Sequence, residues 1–269
     1  MSVTWENPEG EVDFPPMGVM GWLNFLLRGA AIAVSLAIAF PLFFLVDLLG
    51  RPVQHDAHWI VKGWARLAVW LAGVKIVTKG APMAAHGALV SNHVSWMDIW
   101  VLFATADVDL VSKAEVADWP GVGYMARRFG TVFIRRDPRE AKRQEAQMRE
   151  KLEKGRKLAF FPEGTSTDGL RVLPFRSTLF QVFMGHPEGS VQVQPVTLRY
   201  LPKPGLRRDF FGWWGEMDFG RHLKHALAHG HGSRVEVTFH TPLAPEAFDG
   251  RKALTAQAES AVRSEIVEA

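Results

Sequence analysis

The stretch Ala88-Leu89-Val90-Ser91-Asn92-His93-Val94-Ser95-Trp96-Met97-Asp98, continued by Ile99–Thr105, decides the architecture. Its first residues are small or aliphatic and read as a buried strand, its last third is apolar at helical length, and polar Asn92, His93 and Ser95 fall between them. The segment therefore reads strand, loop, helix. The spacing of His93 and Asp98 sharpens this, because two residues five apart on a continuous α-helix point about 140° away from each other. They meet only if His93 lies in the loop and Asp98 in the first turn of the helix, where a carboxylate also suits the helix dipole. The imidazole then has an orienting carboxylate, as a general base requires. Taken alone, a His beside a helix-capping Asp more often serves structure.

Outward from this segment the alternation continues. Asp109–Ser112, Thr131–Ile134, Leu158–Phe161, Val191–Leu198 and Val235–Phe239 read as strands, and Gly121–Phe129, Arg139–Lys154, Ser177–Met184, Glu216–His229 and Leu254–Val267 as helices. The fold class expected is α/β, a mixed and largely parallel sheet flanked by helices, over residues 75–269. Asp249 reads as the N-cap of the last helix.

Upstream, residues 1–16 are acidic and proline-containing and read as a loose arm; residues 17–74 read as a membrane-associated helical hairpin. GAAIAVSLAIAFPLFFLV, residues 29–46, carries no charge and is 18 residues long, near the lower limit for crossing a bilayer. The acidic lead-in argues against a secretory signal, and Pro41 is a candidate point for the segment to turn back. In Trp59–Leu71, Lys62 and Arg66 share one helical face and apolar residues fill most of the rest, as in an interfacial helix or a buried core helix. If the first run spans, Arg51, Lys62 and Arg66 place the following domain on the cytoplasmic side of the inner membrane.

Composition narrows the chemistry. The 269 residues contain no Cys, so disulfides, thiolate metal sites and a Cys nucleophile are excluded. The net charge of +3 suits an anionic lipid surface and is too small to argue for nucleic acid. Ten Trp and 18 Phe against two Tyr fit either a membrane interface or a large aromatic core. His222, His225, His229 and His231 cluster without a completing carboxylate, so no metal site is expected.

Two further segments carry candidate binding groups. Phe160–Gly169 reads FFPEGTSTDG directly after a strand, a turn whose backbone N–H groups and Glu163 suit polar substrate groups. Gly130–Arg136 reads GTVFIRR and ends in Arg135 and Arg136, a pair suited to phosphate or carboxylate. Each is weak singly.

In order and spacing, NHVSWMD, GTVFIRR, FPEGTS and Val193-Gln194-Pro195-Val196 together resemble the four motifs of the glycerolipid acyltransferase family, which includes the 1-acylglycerol-3-phosphate acyltransferases. The resemblance covers roughly residues 75–200. It implies His93 as general base and Asp98 as its orienter. It further implies Arg135, Arg136, Glu163, Gly164, Thr165 and Ser166 around the acceptor head group, and Pro195 shaping the acyl pocket. It implies membrane lipids as partners, with acyl-CoA or acyl-carrier protein as donor substrate, and no cofactor or covalent acyl-enzyme. Two departures bear on the acceptor: Ser166 stands where many phosphate-acceptor members have Arg, and Arg135 where Asp is frequent. The run FPEGTSTDG followed by Val172-Leu173-Pro174-Phe175-Arg176-Ser177 is similar to the lyso-ornithine lipid acyltransferase branch. Arg135, Arg136, Arg171 and Arg176 offer a phosphate site all the same, so lysophosphatidic acid and lyso-ornithine lipid both stand as acceptors. The rival readings are a serine hydrolase, which needs a nucleophile elbow that no Ser here occupies, and a non-catalytic lipid-binding protein.

Overall fold

The computed structural model describes residues 4–8, 10, 12–49, 58–119, 121–135 and 137–266. Two helices, α1 (Gly18–Leu49) and α2 (His58–Leu71), lead into β1 (Val74–Lys79) and β2 (Gly87–Ser91). There follow α3 (Met97–Thr105), β3 (Asp109–Lys113), α4 (Val122–Arg128), β4 (Val132–Ile134), α5 (Pro138–Glu153) and β5 (Lys157–Phe160). The chain ends with β6 (Gln192–Leu201), α6 (Phe219–His229), β7 (Ser233–Phe239) and α7 (Arg251–Arg263).

The seven strands form one sheet in the order β1-β7-β6-β2-β5-β3-β4. The β6, β2, β5, β3 and β4 strands are parallel, whereas β7 runs antiparallel to β6 and parallel to β1. The sheet is thus mixed and mostly parallel. Every residue of β2 is buried, as expected for a strand covered by helices on both faces. Its side chains divide by parity: Leu89 joins one apolar cluster with α2, α3 and α6, while Ala88 and Val90 join the other with α5 and α7. Adjacent β5 divides the same way, Ala159 to the first and Leu158 and Phe160 to the second. Each fully buried Leu or Phe stabilises the fold by about 1.5–3 kcal/mol. The five parallel strands therefore bring their carboxyl ends, and the loops after them, to one edge.

Several sequence expectations need correction. Strand β1 is an element beyond those that the sequence pattern predicts. Ser177–Met184 holds a 3₁₀ turn, Leu179–Phe183, in place of a full helix. The last helix is capped by Gly250, at φ 89°, and not by Asp249. α1 continues through Pro41 to Leu49, so the chain does not turn back there. Arg51 lies outside the described residues.

α1 is long and apolar enough to cross a bilayer by length and composition, over Gly18–Val46, but it lies along the domain. Phe25, Ile32, Ala39, Phe43 and Val46 pack on the main core, Asn24 donates to Ala228 O at 3.2 Å and Arg28 to Ala72 O at 3.3 Å. Trp64 of α2 donates to Ser35 Oγ at 3.2 Å. The opposite stripe, including Val19, Leu23, Leu27, Val34, Ile38 and Leu45, is exposed, and such a contiguous apolar face marks a membrane-association surface. The described residues of the acidic arm pack against the domain, in contrast to the loose arm that its composition suggests. Val12 is buried, Phe14 stacks on His225 at 4.5 Å, and Trp5 meets Trp214 edge-on at 5.8 Å.

Candidate active site

The site forms where β2, β5 and β6 end, the edge at which open α/β sheets bind ligands. Asn92 extends the β2–β6 ladder with its side chain, donating from Nδ2 to Leu198 O at 2.9 Å and accepting from Leu198 N at 2.8 Å. That amide clamp fixes the point at which the chain leaves the sheet. His93 follows in the loop and Asp98 lies in the first turn of α3, the placement that the spacing requires.

His93 Nδ1 is 2.7 Å from Asp98 Oδ2. The same oxygen accepts the backbone N–H of Val94 at 2.7 Å and of Ser95 at 2.9 Å, and Oδ1 accepts the hydroxyl of Tyr200 at 2.8 Å. Asp98 is fully buried, and its charge is held by dipoles and one imidazole. A carboxylate with these donors accepts from Nδ1–H, so the Nδ1–H tautomer is assigned from the network and the lone pair falls on Nε2. No hydrogen bond joins Nε2 to another described residue, and the half-buried ring stacks on Phe161 at 3.9 Å. The arrangement can take a proton at Nε2 and stabilise the resulting imidazolium from behind.

The FPEGTS turn closes around this loop. Glu163 Oε1 accepts the N–H of His93 at 2.6 Å and Oε2 that of Leu173 at 2.7 Å, so both oxygens are engaged by protein backbone. Burial pushes the Glu163 carboxyl up to about 8, against the pull of those amides. His93 O accepts Thr167 N at 2.9 Å, and Gly169, at φ +76°, approaches so closely that a Cβ there would lie 2.6 Å from Val94. Gly164 also sits at positive φ, as the turn requires. Thr165 and Ser166 are buried: Thr165 Oγ1 accepts the amide of Trp5 at 3.2 Å, and Ser166 Oγ donates to Trp213 O.

The remaining candidates are more dispersed. Arg135, exposed at the end of β4 on the sheet edge, lies 3.9 Å from Glu140. Arg136 lies outside the described residues. Pro195 is buried in β6 opposite Val90. Arg171 pairs with Asp168 at 2.9 Å and lies over the Trp5 ring. Among the described residues no three His, Asp or Glu side chains converge as metal ligands. His222 and His225 are instead buried, which pushes each imidazole down to about 4, and Trp96 donates to His222 Nδ1 at 2.9 Å. Sequence reasoning missed the roles of Tyr200, which reaches Asp98 from β6, and of Phe161, which stacks on His93 from the residue after β5; the signal for Tyr200 was a lone Tyr at the end of an apolar strand.

Comparison with known proteins identifies the family. Residues 75–199 match the Acyltransferase family model. The chain is 45% identical over 266 residues to a lyso-ornithine lipid O-acyltransferase of Rhodobacter capsulatus, covering 97% of this chain and 96% of that one. A second, from Brucella abortus, is 34% identical with 89% and 92% covered. A 1-acyl-sn-glycerol-3-phosphate acyltransferase of Neisseria gonorrhoeae is 35% identical over 160 residues, 59% of this chain and 61% of that one. The crystal structure of the 1-acyl-sn-glycerophosphate acyltransferase of Thermotoga maritima shares the fold, with a TM-score of 0.69 at 21% identity over 93% of this chain and 96% of that one. The chain belongs to the glycerolipid acyltransferase family and is an acyltransferase.

Proposed function

We propose that the protein acylates the free hydroxyl of a lyso-ornithine lipid, using an acyl thioester as donor and His93 as general base. His93 Nε2 takes the hydroxyl proton as the oxygen attacks the thioester carbonyl. The C–S bond of the tetrahedral intermediate then breaks, and the departing thiolate of CoA or acyl-carrier protein receives the proton from the imidazolium. The products are an ester and a free thiol, and the reading calls for no cofactor and no acyl-enzyme. A positioned base of this kind contributes about 10²–10⁴-fold in rate. The observation that carries the mechanism is the 2.7 Å contact between His93 Nδ1 and buried Asp98, which leaves Nε2 toward the substrate.

The acceptor rests on two supports. The match to the lyso-ornithine lipid enzyme runs through nearly the whole chain, whereas that to the Neisseria enzyme covers 59% of it. At position 166 a short hydroxyl turned to Trp213 stands in place of a cation, and Arg171 is neutralised by Asp168. Both reduce the charge available for a phosphate dianion near His93. We place the exposed face of α1 on the cytoplasmic leaflet of the inner membrane, where Arg128 and Lys224, stacked on Phe44 and Trp22 of α1, would meet anionic lipid. The test is a transfer assay offering lyso-ornithine lipid and lysophosphatidic acid, each with acyl-CoA and acyl-carrier protein. The expected result is kcat/KM at least about tenfold higher for lyso-ornithine lipid. Preference for lysophosphatidic acid by a similar factor would overturn the acceptor, and no transfer to either would overturn the function.

A further inference from the structure

The Asp98 carboxylate is loaded unevenly. Oδ2 receives three donors, the Val94 and Ser95 amides and His93 Nδ1, while Oδ1 receives a single one among the described residues, the Tyr200 hydroxyl at 2.8 Å. Tyr200 belongs to β6, two strand positions beyond Leu198, which Asn92 clamps to the catalytic loop. Its ring is buried in the main core and stacks on Phe211 at 5.3 Å, so the hydroxyl has little freedom to point elsewhere. Burial and the Asp98 charge push the phenol well above its ordinary value, so it keeps the proton that it donates.

We propose that Tyr200 is a positioning residue of this enzyme, whose hydroxyl holds Asp98 Oδ1 so that Oδ2 faces His93 and which sets how strongly the carboxylate favours the imidazolium. The proposal rests on the reading of His93 as the base. The first effect is geometric: an empty Oδ1 in a buried site would lack any donor, and the carboxylate would gain by rotating away from His93. The second is electrostatic. A hydrogen bond to Oδ1 withdraws negative charge, so Asp98 stabilises protonated His93 less than a bare carboxylate would. The titratable groups of the described segments packed against this loop include Glu163, which accepts the N–H of His93 and feels the charge of Arg263 on α7, and buried Asp168, which follows Thr167 and pairs with Arg171; His222 lies buried behind Trp96.

The chain has two tyrosines, and the other, Tyr124, is half exposed on α4. In a Tyr124→Phe background, growth on 3-fluorotyrosine therefore labels Tyr200 alone with a more acidic, near-isosteric phenol. The experiment compares the pH profile of kcat/KM for that parent, its fluorinated form, Tyr200→Phe and His93→Ala. Loss of the donor in Tyr200→Phe should lower kcat about tenfold, leave both KM values within about twofold and displace the acid limb, upward where the electrostatic effect prevails and downward where the carboxylate turns away from His93. The stronger donor of the fluorinated protein should move that limb down. Acid limbs that coincide in all three active proteins would overturn the role of Tyr200. If Tyr200→Phe does not fold, the fluorinated protein decides alone: a limb moved down supports the proposal and an unmoved limb overturns it. Full activity in His93→Ala would instead overturn the underlying reading of the base.

Discussion

Two buried aspartates sit at opposite ends of the same sheet, and they are neutralised in different ways. Asp109 opens β3 at the amino edge of the parallel strands. Lys151 reaches its Oδ2 at 2.7 Å and Arg156, just before β5, reaches its Oδ1 at 2.6 Å. Asp98, beyond the carboxyl end of β2, has no Lys or Arg among its hydrogen-bond partners in the described residues; it has two amides, one phenol and His93. Permanent cations cancel the first charge whatever the state of the protein, so Asp109 ties β3, α5 and β5 together. Neutral dipoles hold the second charge without cancelling it, so Asp98 retains a field that a proton arriving on His93 can use. The cationic end holds the fold together, and the dipolar end is where the proposed chemistry falls.

The largest expected effect that would break this comparison comes from removing each charge in turn. Asp98→Asn preserves the shape and the contacts to the amides, with its Nδ2 facing the Tyr200 oxygen. It should lower transfer about 10²–10⁴-fold and move the thermal midpoint by only a few degrees. Asp109→Asn should do the reverse, leaving Arg156 and Lys151 buried or half-buried against a neutral group at a stability cost of about 3 kcal/mol, with kcat per folded molecule near the parent value. Denaturant titration and kinetics on both variants check this. Equal losses of activity at constant stability in the two would show that the contrast is false.

A smaller effect should come from pH. His222 is pushed down to about 4 by burial from an ordinary value of 6.5. The unfolded chain thus takes up its proton first as pH falls. Stability from this group is complete above about 6.5 and is lost between there and about 4, amounting to about 3 kcal/mol across the window. His222→Gln keeps an acceptor for Trp96 and should flatten the acid side of the stability curve, read by denaturant titration from pH 4 to 7. An unchanged slope would remove His222 from the account of acid instability.

Much of this was legible in the sequence because it is local. The strands after residue 86 announce themselves as apolar runs between turns, and the five-residue spacing of His93 and Asp98 by itself calls for a strand–loop–helix junction. What escaped is tertiary. β1 follows α2 after a short turn at Ala72 and Gly73 and alternates only weakly as an edge strand. The reversal of β7 against β6 depends on pairing that no local pattern carries. The packed arm could have been suspected from Trp5 and Phe14 among its acidic residues, but their partners, Trp214 and His225, lie some two hundred residues away. Glu163 reads as a substrate ligand from its motif, yet which groups surround its oxygens is set by the loop after β2 and by Leu173. Tyr200 is likewise a strand residue until β6 is laid beside β2.

The most direct test is the rate of acyl transfer to lyso-ornithine lipid by His93→Ala, set beside its thermal unfolding and its partition to lipid vesicles. The half-buried ring makes its main contacts with Phe161 and Asp98. The expected result is a loss of about 10²–10⁴-fold in rate from a protein that folds and binds vesicles as the parent does. A folded, vesicle-bound His93→Ala that transfers acyl groups at the parent rate would contradict the account.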